Sequence, residues 1–209
     1  MKDGFIRVAA ATPDIHVADP QYNSEQIIEL MEQGSTRGVK VMAFPELCLT
    51  AYTCSDLFLQ ESLLREAKKE LKRILQASKS KDMILFVGMP WMHKGKLYNV
   101  AAVLNRGRIL GIVPKKHLPN YSEFYELRHF NPGMEKVEMT DWEGVQVPMG
   151  MNLLFACRTM PELVLAAELC EDVWVPCPPS ISHALAGATV IANCSASDET
   201  TGKDQYRYN

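Results

Sequence analysis

Most of the signatures that announce a function are missing from this sequence. It has no G-x-G-x-x-G and no G-x-x-x-x-G-K-[ST], so neither common nucleotide-binding loop is present. It has no G-x-S-x-G, which excludes the serine elbow of the α/β hydrolases. Its five histidines never fall as H-x-x-x-H and its six cysteines form no C-x-x-C, so no metal site is expected. Basic residues number 22 against 25 acidic ones, a net charge of −3, which leaves no excess to neutralise a run of phosphates. Nucleic-acid binding is therefore not expected. No apolar run approaches the length of a membrane span, and the opening Met1-Lys2-Asp3-Gly4-Phe5-Ile6-Arg7 lacks the pattern of a secretory leader. At 209 residues the chain needs no disulfide staple, and the cysteines are expected to be reduced thiols of a cytoplasmic protein.

What is present is an alternation of strand-like and helix-like runs, with no internal repeat, which points to one α/β domain. Strands are predicted over Phe5–Ala11, Val39–Phe44 and Met83–Val87, the last stopped by Gly88 and Pro90. A helix capped by Asn23 is predicted over Ser24–Gln33 with Gly34 as its stop, and a longer one over Leu57–Ala77. Tyr98–Leu104 and Arg108–Val113 flank Asn105-Arg106-Gly107, a hairpin signal, so the sheets are expected to be mixed. A long loop is expected over residues 114–134. Short strands follow near Lys136–Met139, Val145–Val147 and Leu153–Cys157, then a buried strand over Leu163–Ala167. A helix over Pro178–Leu185 and a strand over Ala188–Cys194 complete the pattern.

Three strand ends carry chemistry. Phe44-Pro45-Glu46 puts a carboxylate directly after a buried strand and a proline, where burial could raise its pKa and make it a base. Pro114-Lys115 puts a cation at another, where it could steady an oxyanion. Cys170 closes the most apolar strand and is followed by Glu171 and Asp172, so a sharp turn would present its thiol. A free thiol is mostly protonated at neutral pH and needs a base or a cation beside it. Taken singly, Glu46 could cap a turn, Lys115 could be a solvated lysine and Cys170 a core thiol. Together they supply base, cation and nucleophile at the ends of strands, where α/β sheets collect reactive groups.

The order Glu, Lys, Cys in F-P-E, P-K-x-H-L and E-x-C-E-D-x-W resembles the carbon–nitrogen hydrolase (nitrilase) superfamily. Within it, the stretch Phe44 to Phe58, the stretch Pro114-Lys115 to Phe124-Tyr125-Glu126, Cys170 to Pro176, Asn193-Cys194-Ser195-Ala196-Ser197 and Gly202-Lys203 resemble the amidase domain of the glutamine-dependent NAD synthetases. The resemblance implies an α/β fold of the α-β-β-α four-layer sandwich type. It implies that Cys170 attacks the glutamine side-chain amide, Glu46 moves the protons and Lys115 steadies the oxyanion. Glu126 falls where the family keeps a second glutamate. Tyr52, Tyr121, Glu171, Trp174, Ser197 and Lys203 fall where it lines the glutamine pocket, Lys203 at a place some relatives give to arginine. The family's amidase domain usually runs longer, so residues 1–209 are expected to form it without its last elements, and the synthetase domain is not in this chain. No cofactor is implied for the amidase part, whereas the synthetase part would use ATP and Mg with deamido-NAD. A homo-oligomer is expected. A stand-alone amidase on another small amide and a non-catalytic assembly piece are the competing readings.

Overall fold

The computed structural model describes residues 4–208. Seven strands form the larger sheet: β1 (Arg7–Ala10), β2 (Val39–Ala43), β3 (Ile84–His93), β4 (Lys96–Asn105), β5 (Arg108–Pro114), β6 (Glu138–Trp142) and β7 (Val145–Met149). Their order is β1-β2-β3-β4-β5-β7-β6. A smaller sheet holds β8 (Phe155–Ala156), β9 (Val164–Leu169) and β10 (Val190–Cys194), with β9 in the middle. Two helices, α1 (Pro20–Thr36) and α2 (Glu61–Ser78), cover one face of the large sheet. Its other face packs on the small sheet through Val41, Phe86, Ala101, Val103 and Val113 against Leu165, Ala167, Leu169 and Ala192. Helix α3 (Pro179–Leu185) lies on the outer side of β9, where Ser180 N donates to Glu168 Oε2 at 3.0 Å. The layers thus run helix, sheet, sheet, helix. A last short helix, α4 (Lys203–Tyr208), follows β10.

The strand pattern in the sequence matches this frame, and mixed pairing arises where the hairpin signal put it. β4 and β5 are antiparallel across Arg106 and Gly107, both at positive φ. The loop over residues 114–134 contains only one 3-10 turn, at Glu126–Arg128.

Several boundaries differ for physical reasons. α1 begins at Pro20 and is capped by Asp19, whose side chain accepts from Tyr22 N, rather than by Asn23. Asn23 instead ties the preceding loop down, bonding to the His16 backbone and to Leu49 O. Gly34 does not stop α1 but lies inside it, facing the Met42 side chain of β2 without the positive φ of a helix-terminating glycine, and the helix runs on to Thr36. The predicted start of α2 at Leu57 is a separate 3-10 segment, Tyr52–Leu59. β3 passes straight through Gly88 and Pro90 and returns as β4 through Lys94 and Gly95. The ladder with β2 ends at Phe86, so the missing Pro90 N–H breaks no bond on that side.

Candidate active site

Each of the three chemistry-bearing strand ends opens on the same region. β2 and β5 run in the same direction, so Glu46 and Lys115 leave the large sheet at one end. Glu46 is held there by a close backbone approach. The turn Pro45-Glu46-Leu47 lies so near β3 that a Cβ on Gly88 would overlap its main chain. Leu49 N donates to Gly88 O at 3.1 Å, and Leu47 takes φ 52° to close the turn. Lys115 follows β5 directly and stays tied to β4, its N–H donating to Asn99 O at 2.9 Å.

The side chains meet in a dry cluster. Lys115 and Glu46 are 0% and 1% exposed. Lys115 Nζ donates to Glu46 Oε1 and to Glu126 Oε1, both at 2.6 Å. Tyr52 OH donates to Glu126 Oε1 at 2.8 Å. Asn99 Nδ2 donates to Glu46 Oε1 at 2.6 Å and reaches Glu126 Oε2 at 3.4 Å. Glu46 Oε2 and Asn99 Oδ1 are buried and have no partner among the described residues. One ammonium faces two carboxylates, so the cluster carries an unbalanced negative charge when all three ionise. Burial and then Glu46 accordingly push the Glu126 carboxyl up, against the opposing pull of Lys115. Burial pulls the Lys115 ammonium down, but Glu46 and Glu126 outweigh it and the net direction is up, so the amine stays charged.

Cys170 comes to this cluster from the other sheet. It closes β9 with φ 43°, a left-handed conformation costly for a residue with a Cβ. Asp172 holds the turn in place. Its buried carboxylate accepts from Leu169 N at 3.1 Å and from the backbone of the Lys115 loop, His117 N at 2.8 Å and Lys116 N at 3.2 Å. Those bonds tie the end of β9 in the small sheet to the loop that carries Lys115 in the large one. Burial first, and Glu46 second, push the Cys170 thiol up to about 11, while Lys115 and the Ser195 hydroxyl, 3.3 Å from Sγ, pull it back. Cys170 is therefore held as a thiol, and it could act as a nucleophile only if a base took its proton.

The family model that this chain matches is the carbon-nitrogen hydrolase, over residues 7–208. The chain belongs to the carbon–nitrogen hydrolase family. Over 204 residues, 98% of the chain, it is 41% identical to the glutamine-dependent NAD(+) synthetase of Mycobacterium tuberculosis (strain H37Rv), of which it covers 30%. The enzyme of the same name from Aquifex aeolicus is 33% identical, with 32% of its length covered. Among solved structures, a glutamine-dependent NAD(+) synthetase from Cytophaga hutchinsonii superposes with a TM-score of 0.86 at 27% identity, over 97% of this chain and 32% of that one. An amidase from Nesterenkonia sp. shares the fold, with a TM-score of 0.69 at 21% identity, over 94% of this chain and 67% of that one. This carbon–nitrogen hydrolase chain thus spans about a third of the length of its synthetase relatives.

The remaining sequence-predicted residues fall into two groups. Tyr52 joins the cluster through Glu126. Tyr121 and Glu171 stand at the surface beside it, the phenol donating to the carboxylate at 3.0 Å. Trp174 stacks on Tyr206 of α4 at 5.0 Å. Ser197 and Lys203 sit on the chain after β10, where Ser197 N donates to Ser195 Oγ and Lys203 pairs with Asp198. In the described arrangement the Lys203 amine thus has a carboxylate partner of its own. Three residues that bond into this candidate site carry no role in the sequence reading: Asn99, Asp172 and Ser195. Asn99 had a readable signal, an amide inside the otherwise apolar run Val100-Ala101-Ala102-Val103 and its flanks. Asp172 and Ser195 lie in motifs that were noted but have no local feature that reveals their partners.

Among the described residues no group of three or more His, Cys, Asp or Glu side chains is placed to hold a metal, and no helix is long and apolar enough to cross a membrane.

Proposed function

We propose that this carbon–nitrogen hydrolase domain hydrolyses the side-chain amide of glutamine through a thioester on Cys170. The ammonia then serves the ATP- and Mg-dependent amidation of deamido-NAD to NAD by a synthetase domain of the same polypeptide. The observation that carries the reading is the buried Glu46–Lys115–Glu126 cluster beside a high-pKa thiol at a strained strand end. The synthetase relatives supply the substrate class.

The steps follow from which groups are free. The Cys170 S–H bond breaks as sulfur bonds to the amide carbon, and the proton goes to Glu46. The carbonyl π pair moves onto oxygen, where Lys115 and the backbone N–H just after Cys170 face it. The C–N bond breaks as Glu46 returns the proton to nitrogen, and ammonia leaves. Water then attacks the thioester carbon, giving a proton to Glu46, and the C–S bond breaks as Glu46 passes that proton to sulfur, releasing glutamate and restoring the thiol. Glu126 keeps Lys115 in place throughout. Tyr121, Glu171, Trp174 and Ser197 line the approach, with Glu171 facing the substrate ammonium. Lys203 pairs the α-carboxylate in exchange for Asp198. A lysine offers a point charge there, not the two-pronged grip of an arginine. A cytoplasmic, homo-oligomeric protein fits six free thiols and the exposed apolar side chains around the site.

The test is treatment of the intact protein with a diazo-ketone analogue of glutamine, then peptide mapping by mass spectrometry. A single adduct on Cys170 is expected. Cys170→Ala should take up none, while Cys48→Ala and Cys177→Ala label as the unsubstituted protein does. A folded protein that takes up no analogue yet hydrolyses other small amides would overturn glutamine as the substrate. Equal loss from all three variants would overturn Cys170 as the nucleophile.

A further inference from the structure

Asn99 lies on β4, in register beside the end of β5, and its carbonyl receives the Lys115 N–H. It is buried, and its amide orientation is set by its neighbours: both groups within reach of Nδ2 are carboxylates, so the donor end must face them. Two donors, Lys115 Nζ and Asn99 Nδ2, therefore bridge the same two acids and close a ring of hydrogen bonds. Both of them bond Glu46 at Oε1. Oε2, on the same carboxylate, is buried and has no partner. A carboxylate with one oxygen doubly bonded and the other bare cannot rotate without giving up two short bonds.

We propose that Asn99 is a positioning residue that saturates Glu46 Oε1 and so assigns Glu46 Oε2 as the atom that receives the Cys170 proton. The S–H bond breaks and an O–H bond forms at Oε2, with no change at Asn99 itself. The role deepens the amidase reading and rests on it. The groups that face Glu46 are Lys115, Glu126, Tyr52, Cys170 and, more remotely, Cys194. Among the neutral side chains of the described residues, Asn99 alone hydrogen-bonds the Glu46 carboxylate directly.

The test compares Asn99→Leu, which removes both donors while keeping the branched shape, with Asn99→Ser, which restores one. For Asn99→Leu, kcat for glutamine hydrolysis should fall about ten- to a hundredfold, the loss of one charge-assisted hydrogen bond, while KM stays within about twofold. The acid limb of the kcat/KM profile should move to higher pH, because the carboxylate pair loses a donor that favours its ionised form. Asn99→Ser should recover part of both, and it carries the test if the leucine variant does not fold. A folded variant with kcat within twofold and an unmoved acid limb would overturn the proposal, as would parallel changes in kcat and KM at constant pH dependence. The same acid limb, followed by iodoacetamide alkylation of Cys170 with peptide mapping, needs no glutamine. If the unsubstituted protein hydrolyses no glutamine, the substrate reading fails. The alkylation profile then still decides for Asn99 if the limb shifts and against it if it does not.

Discussion

Two charge clusters in this molecule look alike as distances and behave as opposites. In one, Lys115 stands between Glu46 and Glu126 at 2.6 Å from each. In the other, Asp56 stands between Arg128, at 2.6 Å, and His129, at 3.0 Å. Both draw residues from the same two segments. The 3-10 segment Tyr52–Leu59 carries Tyr52 inward and Asp56 outward, and the 3-10 turn Glu126–Arg128 does the same with Glu126 and Arg128. The difference is water. The inner side chains are essentially unexposed, whereas the Asp56 side chain keeps 57% of its surface. In the dry cluster burial and a second carboxylate push a carboxyl up. At the surface Arg128 and His129 hold Asp56 down, and solvent screening keeps the energy of those pairs small. Ion-pair geometry therefore does not mark a site of chemistry; geometry together with desolvation does.

The comparison breaks most sharply at Lys115. Lys115→Met leaves two buried carboxylates without a counter-charge, so urea unfolding should show a loss of about 3–5 kcal/mol, and Cys170 labelling should cease. Next comes a change that moves the dry cluster without altering its charge. Gly88→Ala forces the backbone of Glu46 away from β3, and a shift of about 1 Å at a reacting group costs about a hundredfold in rate. Single-turnover acylation measures it, while the Asp56 cluster, on the far side of the 3-10 segments, should keep its pairing.

The pH signatures should then run in opposite directions. Glu126 has its folded pKa raised by burial and by Glu46, so the folded protein binds more protons than the unfolded one above the ordinary carboxylate range. Its contribution to stability is full below about pH 4 and is lost as pH rises through the raised value. Urea midpoints of Glu126→Gln minus those of the unsubstituted protein should therefore increase with pH. Arg128 holds Asp56 well below the ordinary carboxylate range, so that contribution is full at neutral pH and is lost as pH falls. Asp56→Asn should make the protein less sensitive to acid, and the effect should be small. The smallest change is expected for Arg128→Ala at neutral pH, a minor drop in the urea midpoint that vanishes in about 1 M salt. Persistence of that drop in high salt would mean that the outer cluster is coupled to the inner one through the two shared segments.

The residues that could be read in advance share one feature. Glu46, Lys115 and Cys170 each follow an apolar run that ends abruptly, and an apolar run is a burial signal that needs no partner to be recognised. The hairpin at Arg106-Gly107 was legible for the same local reason, since positive φ at consecutive positions has a residue signature. What could not be read depends on who lies opposite. Asn23 looks like a helix cap until Leu49 O is found beside it. Gly88 looks like a strand terminator until the Glu46 turn is found lying over it. Asp172 looks like one more acid after a cysteine until it is found holding the Lys115 loop from the other sheet.

Residue order and local pattern alone dictated the α/β alternation, the three reactive strand ends and the family these imply, because burial and backbone preference act over a few neighbouring residues. Tertiary structure alone decided which oxygen of Glu46 is free, that burial pushes the Cys170 thiol up, and that Asn99 and Asp172 hydrogen-bond to Glu46 and to the Lys115 loop. Those properties are set by desolvation and by hydrogen bonds between residues from about 50 to 70 positions apart in the chain, and such distances close only when the strands of the large sheet align and the small sheet packs on it.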